Sequence, residues 1–243
     1  MTDRHEALAA TAIRAAHMSS PITPDGMCTV LHAYLHTIYT SASFAALRAV
    51  PFLAWAEHIA GSRSSDSTTR ERAAWAAGRA LTRWAPEALQ HAINAVVATA
   101  TADIGRAPTV ERAHDLSEGA QRLCGALAES RTRLVVDPCE RTARGAQDAA
   151  RHCLAAYSSA GDAVRLAIEA VDHALSASDA VGVAGAAHAV DCAARAAHAA
   201  VVTSSGEHYS ERRALPHAQA VESAVLRSAL EDLAIMLLIG APT

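Results

Sequence analysis

The chain has 243 residues and a formal net charge of −4, with 51% hydrophobic and 19% charged residues. This balance argues against an intrinsically disordered chain, and the lack of a basic block argues against nucleic acid as a partner. About a quarter of the residues are alanine and only 4% are aromatic. Since alanine has the lowest free-energy cost in a helix interior, the composition predicts an all-α protein with close packing between small side chains.

Cysteine usage and hydropathy predict a cytoplasmic protein without a membrane span. Five cysteines stand at positions 28, 124, 139, 153 and 192, with no Cys-x-x-Cys spacing. The first residues do not resemble a signal peptide, so we expect reduced thiols. The longest apolar stretch, residues 181–202, contains Asp191 and Arg195 near its centre. Charged side chains at the centre of a bilayer have a large free-energy cost, so we do not expect this stretch to span a membrane.

Helix start and stop signals divide the first half of the chain. The signals are capping boxes, prolines at first helical positions and glycines that end helices. The predicted helices cover residues 3–20, 24–40, 51–61, 68–85, 86–105 and 109–133, with Thr109 as the N-cap of the last. Residues 61–69 are rich in serine and threonine, and we expect them to form a polar loop.

The second half begins with the strongest helix start signal in the chain. Asp137 is the predicted N-cap there, and Pro138 is the first helical residue. Helices are predicted over residues 138–160, 162–177, 179–203 and 216–239. The total is about ten helices, in an antiparallel bundle or an irregular solenoid of helical hairpins. We expect a single domain over residues 1–243, with a subdivision into 1–136 and 137–243 as the alternative.

The last predicted helix has one stripe of leucines, at positions 226, 230, 233 and 237. The run "AIMLLIG", residues 234–240, is apolar on all sides. It is either buried within the monomer or forms a homodimer interface.

Three residues near the N-terminus have a spacing that suits a metal site. Cys28, His32 and His36 follow one another at four-residue steps, so successive pairs share a helix face. The alternative is that they only flank an apolar face. Glu111 and His114 form a single Glu-x-x-His motif, whereas helical di-iron proteins need two copies. No cofactor is expected from the other motifs.

The segment "HAVDCAARAAH", residues 188–198, places its polar side chains on one side of a helix. His188, Asp191, Cys192, Arg195 and His198 fall within about 120° of its circumference. The rest is alanine and valine, which predicts a central helix packed on most sides. The stripe is either the solvated edge of that helix or the floor of a binding groove.

A polar loop between the last two helices offers a second candidate surface. Loops contain binding residues more often than core elements do. The candidate partner contacts in this loop are Glu207, His208, Tyr209, Glu211 and Arg212.

Residues 143–238 resemble the alanine-rich helical immunity proteins of actinobacterial toxin systems. The similar segments are "ARGAQDAARHCLAAY", "DAVRLAIEA" and "AAHAVDCAARAAHAA", followed by a long last helix. The resemblance implies a cytoplasmic protein that neutralises a cognate toxin by binding it. It assigns no functional residue, since "VDHAL" follows "AIEA" where an arginine and a tryptophan are expected.

Two functions from different classes follow from these observations. The first is a non-catalytic, protein-binding helical domain, with an immunity protein as its concrete form. The alternative is a helical enzyme or ligand-binding protein that uses a metal or haem. No nucleophile elbow, phosphate-binding loop or dinucleotide fingerprint occurs in the sequence, so no catalytic residue is assigned.

Overall fold

The computed structural model describes residues 66–180, 183–205 and 214–237. Within them the chain forms helices joined by short turns and no strand, which confirms the all-α prediction for this part. A π-helical turn covers Ala80–Trp84 and a 3-10 turn covers Ser158–Ala160. The helices are α1 (Asp66–Arg79), α2 (Ala85–Gly105), α3 (Val110–Val136), α4 (Glu140–Ala156), α5 (Gly161–Ala180), α6 (Val183–Ser204) and α7 (Ala214–Leu237).

The predicted count of about ten helices is not confirmed. Arg79, Trp84 and Ala85 all have right-handed helical dihedral angles, so α1, the π turn and α2 form one continuous helix. The described part of the chain therefore contains six continuous helices. The three helices predicted before residue 62 lie outside the described residues.

Pro86 stands in the first turn of α2, as predicted, but it does not interrupt the helix. Proline has no backbone N–H and disrupts an α-helical ladder, and the π turn directly before it changes the hydrogen-bonding register. The Pro86 carbonyl accepts a hydrogen bond from Arg131 Nε on α3 at 3.0 Å. The expected break is therefore a local change of helix type.

The turn between α3 and α4 corrects one predicted cap. Thr109 caps α3 as expected, since its Oγ1 accepts a hydrogen bond from the Arg112 N–H at 3.1 Å. The N-cap of α4, however, is Cys139 and not Asp137. The reason is that α3 continues to Val136 and uses Asp137 as its C-cap, with the Asp137 N–H donating to the Arg133 carbonyl.

The core lies where α2, α5 and α6 pack against one another. Helix α6 also contacts α1 and α7, while α3 and α4 cover the outer side of α2 and α5. This confirms the prediction that α6 is a central helix packed on most sides. Alanine dominates the buried positions, and one cluster of buried side chains extends from Ala73 to Ala229.

The backbones of α5 and α6 approach each other closely at Gly185. A Cβ atom added there would lie 2.7 Å from the His173 carbonyl oxygen and 2.9 Å from the Ala177 nitrogen. Both atoms belong to the backbone of α5, so a side chain at this position would force the two helices apart. Gly185 thus sets the spacing of the two helices.

Helix α7 is attached to α1 and the π turn by a buried carboxylate. Asp232 is 2% exposed, and its two carboxylate oxygens accept hydrogen bonds from Arg79 at 3.0 and 2.8 Å. Arg83 donates a third at 2.6 Å and also donates to the hydroxyl of Ser228. Such bidentate, charge-assisted bonds fix the position of one helix on another.

The leucine stripe of the last helix is described at one position only. Leu226 is fully buried. The side chains of Leu230, Leu233 and Leu237, and the apolar run 234–240, lie outside the described side chains. Among the residues that the structure describes, no helix combines the length and apolar character that crossing a bilayer requires.

Substitution of Gly185 by alanine is expected to destabilise the protein by about 2 kcal/mol, because the new methyl group overlaps the α5 backbone. The control is Gly125→Ala on α3, where a Cβ meets nothing within 4 Å. That change removes a helix-interior glycine and should stabilise by up to about 1 kcal/mol. Urea unfolding measures both values, and a Gly185 variant as stable as wild type would contradict the close approach.

Asp232→Ala is expected to lower the free energy of unfolding by about 3 kcal/mol, because it leaves two partly buried guanidinium groups without their shared carboxylate. Hydrogen exchange should show the loss of protection concentrated in α7. The matched control is Asp148→Ala, which removes an exposed ion pair with Arg151 and should cost at most about 0.5 kcal/mol. Equal losses in the two variants would show that Asp232 does not anchor α7.

Candidate binding groove

The polar stripe of α6 is brought against α5 and α7 and does not simply face solvent. His188 and Arg195 are exposed, and Asp191 and His198 are partly buried. Cys192 differs from the expectation, because it is 4% exposed and belongs to the core. The predicted stripe is therefore a boundary between core and surface, with Cys192 on the core side.

Asp191 and Arg195 form the ion pair that their four-residue spacing suggests, at 3.6 Å. Burial raises the pKa of Asp191 above its ordinary value, and the nearby charge of Glu222 adds to the increase. Arg195 and His188 act in the opposite direction. The side chain of Arg195 is still 55% exposed, so its guanidinium can contact a partner.

Cys192 contacts a carboxylate of the neighbouring helix. Its Sγ lies 3.9 Å from Glu169 Oε2 and donates a weak hydrogen bond to it. Burial and the negative charges of Asp191 and Glu169 raise the pKa of this thiol to about 12. The thiol is therefore protonated at neutral pH and is a poor nucleophile.

Two imidazole rings meet at the closely packed end of α5 and α6. The rings of His173 and His188 are stacked, with their centroids 5.0 Å apart and their planes 29° from parallel. Burial lowers the pKa of His173, and the neighbouring His188 lowers it further. The carboxylates of Glu169, Asp172 and Asp191 partly offset both effects. The sequence alone predicts a surface pairing of Glu169 with His173 and does not indicate the ring contact.

His198 has a partner on α7. Its Nδ1 lies 2.9 Å from Glu222 Oε2, and the side chains are 27% and 10% exposed. When Nδ1–H donates to the carboxylate, the imidazole is held in one orientation and its other nitrogen remains available. Glu222 was not among the predicted site residues, since no spacing in the sequence connects it to a histidine 24 positions earlier.

Glu169, Arg195, His198 and Glu222, whose contacts are described above, line an open groove between α5, α6 and α7. Its volume is about 530 Å³. On α5 the rim residue Arg165 donates to Asp162 and, at 3.3 Å, to the carbonyl of Gly161. The groove is lined by Asp162, Arg165, Leu166, Glu169, Arg195, His198, Ala199 and Glu222. Six of the eight lining side chains are ionisable, so the groove suits a polar or charged ligand.

Helical spacing explains why these residues share one surface. On α5 they recur at intervals of three and four residues from Asp162 to Glu169, and on α6 from Arg195 to Ala199. The structure thus combines Arg195 and His198 of the predicted stripe with α5 and α7 residues. His188 and Asp191 are not among the lining residues.

The remaining predicted sites fall elsewhere. Cys28, His32 and His36 lie outside the described residues, as do the loop residues Glu207, His208, Tyr209, Glu211 and Arg212.

The single Glu-x-x-His motif lies on the exposed surface of α3. There His114 contacts Glu118 at 3.3 Å, and both side chains are largely exposed. Within residues 66–180, 183–205 and 214–237, no group of three or more histidine, cysteine or acidic side chains is arranged to hold a metal ion.

Comparisons of the chain with protein-family models, with curated proteins and with solved structures find no match. The groove is therefore interpreted from its own chemistry. Its charged side chains are positioned by three helices, and two of those helices are fixed to each other by the backbone approach at Gly185.

The stacked imidazoles predict a pH dependence of stability. The pKa of His173 is lowered in the folded protein. The contribution of His173 to the free energy of unfolding is therefore complete above the pKa of the unfolded chain, about 6.5, and is lost as the pH falls through the pKa of the folded protein. The free energy of unfolding should therefore decrease from pH 7.5 to pH 5. The part of this decrease that comes from His173 should be absent in the His173→Gln variant.

The exposed His114 offers a control, since His114→Gln should leave that component unchanged. Nuclear magnetic resonance gives an independent measurement. In the His188→Gln variant the pKa of His173 should move up toward its ordinary value, because one of the groups that lower it is gone. An unchanged His173 pKa in that variant would contradict the electrostatic coupling of the two rings.

Proposed function

We propose that the protein is a non-catalytic binding module that holds a protein partner in the groove between α5, α6 and α7. The observation that carries the proposal is the groove itself, an open volume of about 530 Å³ with ionisable side chains on three helices. Sites on helices keep their side chains in more constant positions than sites on loops. A preformed and charged surface of this kind favours recognition by electrostatic complementarity.

The charges of the groove favour protein over nucleic acid. Asp162, Glu169 and Glu222 place three carboxylates among the lining residues. A phosphate backbone, which is uniformly negative, would meet repulsion from each of them. A protein surface can present both signs of charge, and so it can be complementary to all of them.

The thiols that the structure describes in the core also fit a binding role. Burial raises the pKa of Cys153 to about 11, and burial together with nearby carboxylates raises that of Cys192 to about 12. Both groups are neutral at physiological pH and pack as small hydrophobic side chains.

The concrete form of the proposal is an immunity protein that neutralises a toxin by binding it, in the cytoplasm. The support for this form is the resemblance of residues 143–238 to alanine-rich immunity proteins. That segment contains every lining residue of the groove, from Asp162 to Glu222. Reduced thiols are in keeping with a cytoplasmic location.

The test is co-expression of the full chain with the product of a toxin-like reading frame beside its gene, followed by calorimetric titration. The double variant Arg165→Glu, Arg195→Glu should weaken binding by at least about tenfold, because two favourable charge contacts become repulsive. Circular dichroism checks that the variant remains helical.

The matched control is Arg151→Glu on α4. Arg151 is 54% exposed and pairs with Asp148 three residues earlier, as Arg165 pairs with Asp162. Its charge reversal should change the affinity by less than about twofold. Equal affinities for the double variant and the wild type would exclude the groove as the binding surface. Absence of any stable partner in the native host would exclude the function.

A further inference from the structure

The groove presents charges of alternating sign. Along α5 the order is Asp162, Arg165, Glu169, or negative, positive, negative. Arg195 adds a positive charge from α6, and Glu222 adds a negative charge from α7. The lining residues therefore have three carboxylates and two guanidinium groups, with His198 between them.

The carboxylates of the groove differ in how strongly neighbouring side chains already bind them. Glu222 is buried and bonded to His198. Glu169 is exposed, and the Cys192 thiol that donates to it is neutral, so this contact does not cancel the charge of the carboxylate. Asp162 is exposed but already paired with Arg165, so Glu169 is the acidic side chain of the groove best placed to attract a cation from a partner.

The guanidinium groups of both arginines are largely exposed and form local ion pairs, and Arg165 also donates to the Gly161 carbonyl. Arg165 is 62% exposed beside Asp162, and Arg195 is 55% exposed at 3.6 Å from Asp191. An exposed pair such as Arg165–Asp162 contributes little to stability and exchanges readily for other partners. The contact of Arg195 with the partly buried Asp191 still leaves the guanidinium at the surface. Both guanidinium groups can therefore turn to an incoming carboxylate, which they bind well because of their planar donor geometry.

A ligand with one sign of charge does not fit this arrangement. A uniformly acidic segment would place carboxylates beside Glu169 and Asp162, and a uniformly basic segment would place cations beside both arginines. Like charges brought together at an interface carry a substantial free-energy cost. Only a segment with both signs is complementary along the whole groove.

The spacing of the charges indicates the form of that segment. Arg165 and Glu169 are one helical turn apart, or about 6 Å along the axis of α5. A partner helix that lies along the groove would present side chains of opposite sign with the same spacing of three or four residues.

We infer that the groove recognises a helix of a protein partner that has an acidic and a basic side chain one turn apart. Arg165 and Arg195 bind the acidic side chain, and Glu169 binds the basic one. The inference rests on the proposed function and specifies the chemistry of the partner.

Three blocked, alanine-based helical peptides of about 18 residues provide the probes, a length at which such peptides are substantially helical. The first has glutamate and arginine one turn apart, the second only glutamate and the third only arginine at the same places. Each is titrated into the isotope-labelled full chain, and amide shifts are followed by nuclear magnetic resonance. The mixed peptide should shift amides of residues 162–169 and 195–199 and bind about tenfold more tightly than either other peptide.

Charge reversals test the assignment of each side chain. Glu169→Arg should change the preference to the glutamate-only peptide, and the double variant Arg165→Glu, Arg195→Glu should change it to the arginine-only peptide. Arg151→Glu, outside the groove, should leave the order of affinities unchanged. These changes of preference are not expected from a loss of folding, which would weaken all three peptides together.

Two results would overturn the inference. One is equal or tighter binding of a single-sign peptide to the wild-type protein, and the other is the absence of groove shifts with all three peptides. Neither result decides the proposed function, because the titration with the co-expressed partner tests whether a protein binds in the groove at all.

Discussion

The close approach of α5 and α6 at Gly185 is the constraint on which the other contacts depend. A glycine there lets the backbone of one helix touch that of the other, and most of the buried hydrophobic positions on the two helices are alanine. With such small side chains, the spacing of the helices is set by backbone contact and not by the interlocking of large groups. This spacing brings His173 against His188 and the Cys192 thiol against Glu169. The His173–His188 and Cys192–Glu169 contacts therefore depend on a position without a side chain.

The third wall of the groove depends on polar contacts and not on size. Among the described side chains of α7, Glu222 bonds to His198 and Asp232 binds two arginines. The second contact joins residues about 150 positions apart in the chain, with 149 separating Arg83 from Asp232. Because Asp232 is almost fully buried, loss of its partners would leave a carboxylate in the core, and this penalty disfavours other positions of α7. Directional bonds of this kind fix the position of α7 along its neighbouring helices. Packing against a smooth alanine surface would not by itself select one position.

The sequence predicts much of the described fold because the local signals are strong. Thr109 caps α3 as its side-chain chemistry indicates, and the polar spacing of α6 correctly marks a packed central helix. Prediction from the sequence is less successful where a neighbouring helix determines the role of a residue. Asp137 has the composition of an N-cap but is used as the C-cap of the preceding helix. Glu222 could not be assigned to the groove, because only the tertiary packing of α7 against α6 brings it to His198.

The position of the groove follows from the geometry of the same two helices. Helices that cross at an angle are closest at one point and diverge on either side of it. The backbone approach at Gly185 involves His173 and Ala177 of α5, and Arg165 lies 12 residues from Ala177, or about 18 Å along the helix. There the groove is lined by arginine, leucine and histidine side chains, which are longer than the alanines that fill most of the buried positions. Those longer side chains keep their charged ends at the surface while their stems cover the helices below. The close backbone contact and the charged open groove therefore lie toward opposite ends of the same pair of helices.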